Sequence, residues 1–307
     1  MAEKKWTIFN VPYGGGYGSL NLAKPKGTKR APKALAKEFN RQHIFIADNG
    51  VSSWQSVLWE NILSGFWSQN NVGGWADMDE SVSQRVFDAY QNAVSDGLRP
   101  KNILFLGGSN SITASTYAAI AQMNGRKETG LILLDAHPDC CDKAVWPIHS
   151  DWLRWLLKEV HISPENILII GLRQIEKEEK EFLDTKRIFY YPMNYIRNWG
   201  HDVYSFIEND PTFLWRMEKF RKLKAVYMSV DIDVVSGVFA PGTGCPSPGG
   251  FTDTEIISLV KQFKIALPNL RAADIVEINP LNWWRKRILR YDPTVDLGVR
   301  LIKEIIS

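Results

Sequence analysis

The sequence predicts an α/β fold, a mostly parallel eight-stranded sheet with helices on both faces. Three observations point to it. Short apolar runs recur along the chain with helical segments between them. The runs are nearly continuous rather than alternating, so both faces of each strand are covered. Acidic motifs directly follow two of the runs, at the strand ends where open α/β sheets place their ligand sites.

Taken in order, the strands are expected at Trp6–Phe9, Ile44–Ile46, Ile103–Leu106, Leu131–Leu134, Ile167–Ile170, Ile188–Tyr191, Ala225–Val230 and Ala273–Ile278. Between Asp79 and Ser95, the residues Val82, Val86, Ala89, Tyr90 and Ala93 fall on one helical face, and Gly97 and Pro100 end the helix. Thr252 to Ile265 carries a similar face in Ile256, Ile257, Val260 and Phe263, with Thr252 as N-cap. A last helix runs from about Pro293 towards Ile306. Gly14-Gly15-Gly16-Tyr17-Gly18 lacks the Gly-Lys-Ser/Thr and the helix start of a phosphate-binding loop. Gly107-Gly108-Ser109-Asn110-Ser111 joins a strand to a helix through Ala114, Ala118 and Ala121. It reads either as a tight turn capped by Ser111 or as part of a site that includes Asn110. No repeat and no Pro/Ser-rich linker divides the chain, so residues 1–307 are expected to form one domain.

Hydrophobic residues at 45% and charged residues at 23% describe an ordinary globular protein with a substantial core. The formal net charge of +3 gives no case for a nucleic-acid partner, and the locally basic stretch Lys24 to Arg30 reads as a solvated loop. Cys140, Cys141 and Cys245 make no disulfide framework, and Met1 to Trp6 lacks a signal-peptide core, so a cytoplasmic location is expected. No apolar run approaches bilayer-spanning length, so no membrane partner is expected.

The chemistry lies in the acidic motifs. Ser229-Val230-Asp231-Ile232-Asp233 ends an apolar run, and residues two apart on a strand share a face. Asp135-Ala136-His137-Pro138-Asp139 repeats this arrangement after Leu131–Leu134. Four carboxylates at adjacent strand ends would repel one another at low dielectric unless protonated, matched by Lys or Arg, or neutralised by cations. Neither motif contains Lys or Arg, so cations fit best. Mixed carboxylate and imidazole ligation suits manganese, iron, cobalt, nickel or zinc better than calcium. Two close ions sharing a carboxylate pair would suit hydrolysis by an acidified water.

These two motifs, with Gly107–Ser111 before them and Glu277-Ile278-Asn279-Pro280 after them, resemble in this order the ureohydrolase family of arginases, agmatinases and formimidoylglutamases. The resemblance runs from Pro12, through Gly27–Pro32 and Ala240–Gly244, to the C-terminal helix. It implies a three-layer sandwich around an eight-stranded parallel sheet, and hydrolysis of a small guanidino or amidine compound. A hydroxide bridging two Mn2+ ions would attack the guanidinium carbon and release urea or a related fragment. Carried over by motif, Asp135 and Asp231 would bridge the ions, His137 and Asp233 would complete one metal site, and Asp139 would belong to the other. Glu277 would hold the guanidinium through paired charge-assisted hydrogen bonds. His149 would relay a proton to the departing amine, and Glu176 is a candidate for receiving a substrate amine. The resemblance also implies a homo-oligomer, a trimer or hexamer.

Two positions depart from the family pattern. Asn110 stands where an imidazole ligand is usual, which leaves the metal site containing Asp139 weak or empty, because an amide oxygen is the poorer transition-metal ligand. Ser236-Gly237 replaces the usual Asp-Pro. The short segment between Asp139 and His149 looks more like agmatinase than arginase. Trp146, Trp152, Trp283 and Trp284 lie near the site segments, where they would wall an apolar pocket, stack on a cation or pack a core or interface. Two other readings stand beside the hydrolase: an inactive paralogue acting as a binding or regulatory subunit, and a one-metal hydrolase of another carbon–nitrogen bond. Histone-deacetylase-like enzymes, which resemble this fold and use an Asp-His-Asp set, motivate the last.

Overall fold

The computed structural model describes residues 6–11, 27–42, 51–56, 102–142, 149–199, 203–280 and 291–307. Its strands are β1 (Trp6–Val11), β2 (Val51–Ser56), β3 (Asn102–Gly107), β4 (Thr129–Leu134), β5 (Ile167–Leu172), β6 (Phe189–Pro192), β7 (Ala225–Asp231) and β8 (Leu270–Val276). They form one eight-stranded sheet in the order β2-β1-β3-β8-β7-β4-β5-β6. Every neighbouring pair is parallel. The expected strand at Ile44–Ile46 lies outside the described residues, and the strand beside β1 is Val51–Ser56. Val51-Ser52-Ser53-Trp54-Gln55-Ser56 contains no apolar run, and β2 sits at the sheet edge, so the feature that marks the central strands is missing from it.

The described α-helices are α1 (Ala31–Arg41), α2 (Ile112–Asn124), α3 (Trp152–Trp155), α4 (Lys177–Lys186), α5 (Met193–Asn198), α6 (Val203–Asn209), α7 (Pro211–Arg221), α8 (Asp253–Ala266) and α9 (Pro293–Ile306). Successive strand residues point to opposite faces, and here both sets are buried. Leu104, Leu106, Ile132, Leu134, Val226 and Met228 pack in one core with residues of α1, α7, α8 and α9. Ile103, Phe105, Leu131, Leu133 and Tyr227 pack in another, with residues of α2 and α3. This two-sided burial explains why the strands read as continuous apolar runs.

Helix ends follow the sequence closely. Thr252 Oγ1 accepts from Glu255 N at 3.2 Å while Thr252 N donates to Glu255 Oε2 at 2.8 Å, a capping box that starts α8. Asp292 caps α9 by accepting from Val295 N at 3.3 Å, with Pro293 in the first turn. The expected helix between Asp79 and Ser95 and the Gly14–Gly18 stretch lie outside the described residues. Among the described residues no helix is long and apolar enough to cross a membrane.

The inner end of the sheet core is polar at one point. Asp274 on β8 is fully buried and accepts from Thr113 Oγ1 at 2.7 Å, Tyr227 OH at 2.7 Å and Ser229 Oγ at 2.6 Å. Thr113 belongs to α2 and Tyr227 and Ser229 to β7, so this knot ties together the three elements that lead to Asn110, Asp231 and Glu277.

Candidate active site

The site forms where β3, β4, β7 and β8 end. Because β7 lies between β8 and β4, the chain delivers Asp231 and Asp233 beside Asp135 and His137 although about a hundred residues separate the motifs. Two side chain-to-backbone bonds shape the turns. Asp135 Oδ1 accepts from His137 N at 2.7 Å, and Asp231 Oδ1 accepts from Asp233 N at 3.0 Å. Each carboxylate thereby organises the residue two further on, the local chemistry expected of Asp in a turn. Asp233 Oδ1 then accepts from Ala136 N at 3.2 Å and joins the two loops. Arg173, after β5, supports them from behind, donating to Asp233 O at 2.5 Å and Val234 O at 2.8 Å.

His137 is fixed from both sides. Nε2 lies 2.9 Å from Gln174 Oε1, and Nδ1 lies 3.0 Å from Asp233 Oδ2 and 3.7 Å from Asp135 Oδ1. An amide oxygen only accepts, so Nε2 carries a proton and the Nδ1 of a neutral ring presents a lone pair to two carboxylates. Ligand-type atoms of Asp135, His137 and Asp233 all lie within 4.8 Å of one another.

The electrostatics are those of a negative cluster short of positive charge. Burial, then Asp233, pushes the Asp135 carboxyl up to about 7, although His137 pulls it down. Burial and then Asp135 hold Asp139 well above the carboxylate range. Burial, Asp233, Asp135 and Glu277 do the same to Asp231. Burial disfavours a charged His137, but the adjoining Asp135 and Asp233 outweigh it and raise the imidazole.

Asn110 connects the remaining residues. Its main-chain N donates to Glu277 Oε1 at 2.9 Å, and Nδ2 donates to Asp139 Oδ2 at 2.5 Å and to the main-chain O of His149 at 3.3 Å. Asp139 and Glu277 both have positive φ, 50° and 59°. Such conformations are costly for non-glycine residues and persist where the surroundings impose them. Here Leu153 N donates to Asp139 O at 3.1 Å, and Glu277 N donates to Gly108 O at 2.7 Å. Gly107 allows this close approach, because a Cβ there would come within 2.3 Å of Ile112 Cδ1 and 2.8 Å of Val276 Cγ1. Ser111 occupies the N-cap position of α2 without a side-chain capping bond, and its Oγ pairs instead with Ser109 Oγ at 3.1 Å.

The match to a family model, the arginase family, spans residues 4–307. The chain belongs to the arginase family. It is 29% identical over 255 residues to an arginase of Plasmodium berghei, covering 71% of this chain and 68% of that one. The solved arginase of Bacillus cereus superposes with a TM-score of 0.75 at 21% identity, covering 99% of each chain. The formimidoylglutamase of Bacillus subtilis superposes with a TM-score of 0.73 at 23% identity, over 99% of this chain and 87% of that one. The three-layer α/β sandwich is thus the arginase fold.

Within this arginase-family site, Asn110, Asp135, His137, Asp139, His149, Asp231, Asp233 and Glu277 gather at one edge of the sheet. Glu176 does not join their hydrogen-bonding network: it is the exposed N-cap of α4, its main-chain N donating to Glu179 Oε2 at 3.1 Å. Trp152 is buried, and its indole Nε1 donates to Asp139 Oδ2 at 2.9 Å, a polar task that its reading as pocket wall or packing residue did not include. Trp146, Trp283 and Trp284 lie outside the described residues. Gln174 and Arg173 support the site without having been identified from sequence. They follow β5 in Gly171-Leu172-Arg173-Gln174, so their position after a central strand was the available signal.

Proposed function

We propose that the protein is a metal-dependent hydrolase of a small guanidino or amidine compound, with Asp135, His137, Asp231 and Asp233 as the main metal-holding residues. The observation that carries this reading is the His137 ring, whose Nε2 is committed to Gln174 while Nδ1 faces Asp233 Oδ2 at 3.0 Å and Asp135 Oδ1 at 3.7 Å. Asp135 and Asp233 raise the imidazole, so without an ion Nδ1 holds a proton between the carboxylates, and a bound cation would take that proton's place among the same three ligand atoms. A ring nitrogen fixed through its opposite N–H is also the usual way a protein presents a histidine ligand. Manganese, nickel, cobalt, iron or zinc suits this oxygen and nitrogen donor set. When bound, the ion supplies Lewis-acid activation of water near neutral pH.

The chain's own residues do the rest. Glu277 neutralises and orients the cationic amidine group, with Oε1 held by the Asn110 main chain. A carboxylate matches the planar N–H fork of such a cation. His149 relays a proton to the departing amine, and the hydrogen bond from Asn110 to its main-chain O keeps that loop at the site. Elemental analysis of the purified protein, with a urea-release screen over arginine, agmatine and other guanidino compounds, tests the reading. Metal content together with release from one substrate is expected. Metal-replete protein inactive on every amidine tested would instead favour the binding or regulatory paralogue.

A further inference from the structure

Asn110 occupies the position where the family pattern has an imidazole, and its surroundings indicate what the replacement does. The side chain is more than nine-tenths buried, with Nδ2 against two groups that only accept, Asp139 Oδ2 at 2.5 Å and the main-chain O of His149 at 3.3 Å. A carboxylate and a carbonyl require the nitrogen, not the oxygen, on their side of the amide. Asp139 Oδ2 takes a second N–H from Trp152 at 2.9 Å, so two donors already satisfy it. An ion seeking that oxygen would have to displace them. Asn110 Oδ1, meanwhile, is buried and has no hydrogen-bond partner. Buried acceptors in native proteins nearly always have partners, so a bare one at a site is reserved for something that binds there.

We propose that Asn110 is a substrate-orienting residue of a one-ion centre. Its amide nitrogen holds Asp139 where a second ion would otherwise be needed, and its Oδ1 accepts an N–H from the amidinium group that Glu277 binds. The inference rests on the metal-dependent amidine reading above. Charge is consistent with it: the amidinium brings one positive charge towards Asp139 and Glu277, where a second divalent ion would have brought two. The pairing also places a neutral acceptor and a carboxylate on one residue pair, since the Asn110 main chain holds Glu277 Oε1 at 2.9 Å. Such a pair reads a planar cation by two of its N–H groups and rejects a simple ammonium of equal charge.

The test uses the full-length protein loaded with Mn2+, desalted, and measured by native mass spectrometry and electron paramagnetic resonance. One equivalent with an uncoupled mononuclear signal is expected. Two equivalents with a spin-coupled signal would overturn the proposal while leaving the metal-dependent reading intact, and no bound metal would remove that reading itself. Titration with methylguanidinium supplies the second arm. Asn110→Ala should keep one equivalent and bind this probe about tenfold more weakly than wild type, the scale of one hydrogen bond to a charged group. Loss of the ion in Asn110→Ala, or unchanged affinity for the probe, would assign the residue elsewhere. Because the wild-type stoichiometry needs no variant, the one-ion proposal is decided even if Asn110→Ala fails to fold.

Discussion

The main-chain nitrogen of Asn110 donates to Glu277 Oε1 at 2.9 Å, across a sequence separation of 167 residues. Glu277 is therefore oriented by the backbone of the loop after β3, independently of what side chain that loop carries. A glutamine at position 277 can still accept this bond, so the fold and the proposed metal ligands are preserved, while the negative charge that the proposed cationic substrate would meet is removed. Glu277→Gln should retain wild-type metal content and lose turnover on the order of a hundredfold or more, the usual scale for deleting one charge-stabilising contact. Parallel metal analysis and steady-state kinetics check this, and near-wild-type turnover would move Glu277 out of the substrate site.

Trp152 is buried and spends its indole N–H on Asp139 Oδ2 at 2.9 Å. Phenylalanine keeps much of the apolar volume and deletes that donor from a buried acid. Trp152→Phe should lower stability by about 1–3 kcal/mol, from the lost bond and the acceptor left with fewer partners. Chemical denaturation of the metal-free protein measures it, and a change well below this range would show that the indole contributes packing alone.

The central sheet was legible because its strands are covered on both sides, which leaves an uninterrupted apolar signature in Leu131–Leu134 and Ala225–Val230. The edge strand Val51–Ser56 carries no such signature. The acidic motifs were legible for a related reason, since a strand of period two that ends in Asp-x-Asp sends both carboxylates to one side. What the sequence could not show is orientation. That the Asn110 amide turns its nitrogen to Asp139 depends on the carbonyl of His149 arriving from a separate loop, and that Trp152 is a hydrogen-bond donor depends on where α3 begins. Glu176 illustrates the converse: an acid shortly after a central strand, it serves as the cap of α4.

Metal should stabilise the fold as well as serve the reaction. Burial and mutual repulsion raise Asp135, Asp139 and Asp231, and a cation that binds the native state relieves that repulsion. At free Mn2+ a hundredfold above its dissociation constant, mass action adds about 2.7 kcal/mol to native-state stability. The thermal midpoint should therefore rise with Mn2+ and fall on chelation by several degrees. His137→Ala should abolish most of this response, because it removes the ring nitrogen at the centre of the cluster. A response of wild-type size in that variant would place the ion away from His137.

Asp274 lies away from these ligands and gives a pH signature of its own. Complete burial raises its carboxyl to about 6, with the hydroxyls of Ser229, Tyr227 and Thr113 and the main chain of Val230 pulling it down only in part. In the unfolded chain an aspartate titrates near 3.9. Between about pH 4 and pH 6 the native state therefore holds a proton that the unfolded state has released. Stability contributed by the protonated group is fully present below about pH 4 and declines as pH rises through about 6, with no further loss above. Two units of displacement correspond to about 3 kcal/mol. Asp274→Asn removes this titration, and its mismatch with the hydroxyl donors around position 274 does not vary with pH. The stability of wild type minus that of Asp274→Asn, from urea denaturation of the metal-free proteins, should fall by up to about 3 kcal/mol between pH 4 and pH 7. Titrations common to both proteins cancel in the difference. A flat difference would mean that Asp274 keeps its ordinary acidity, and a rising one would mean that the surrounding hydroxyls favour the buried anion over its acid.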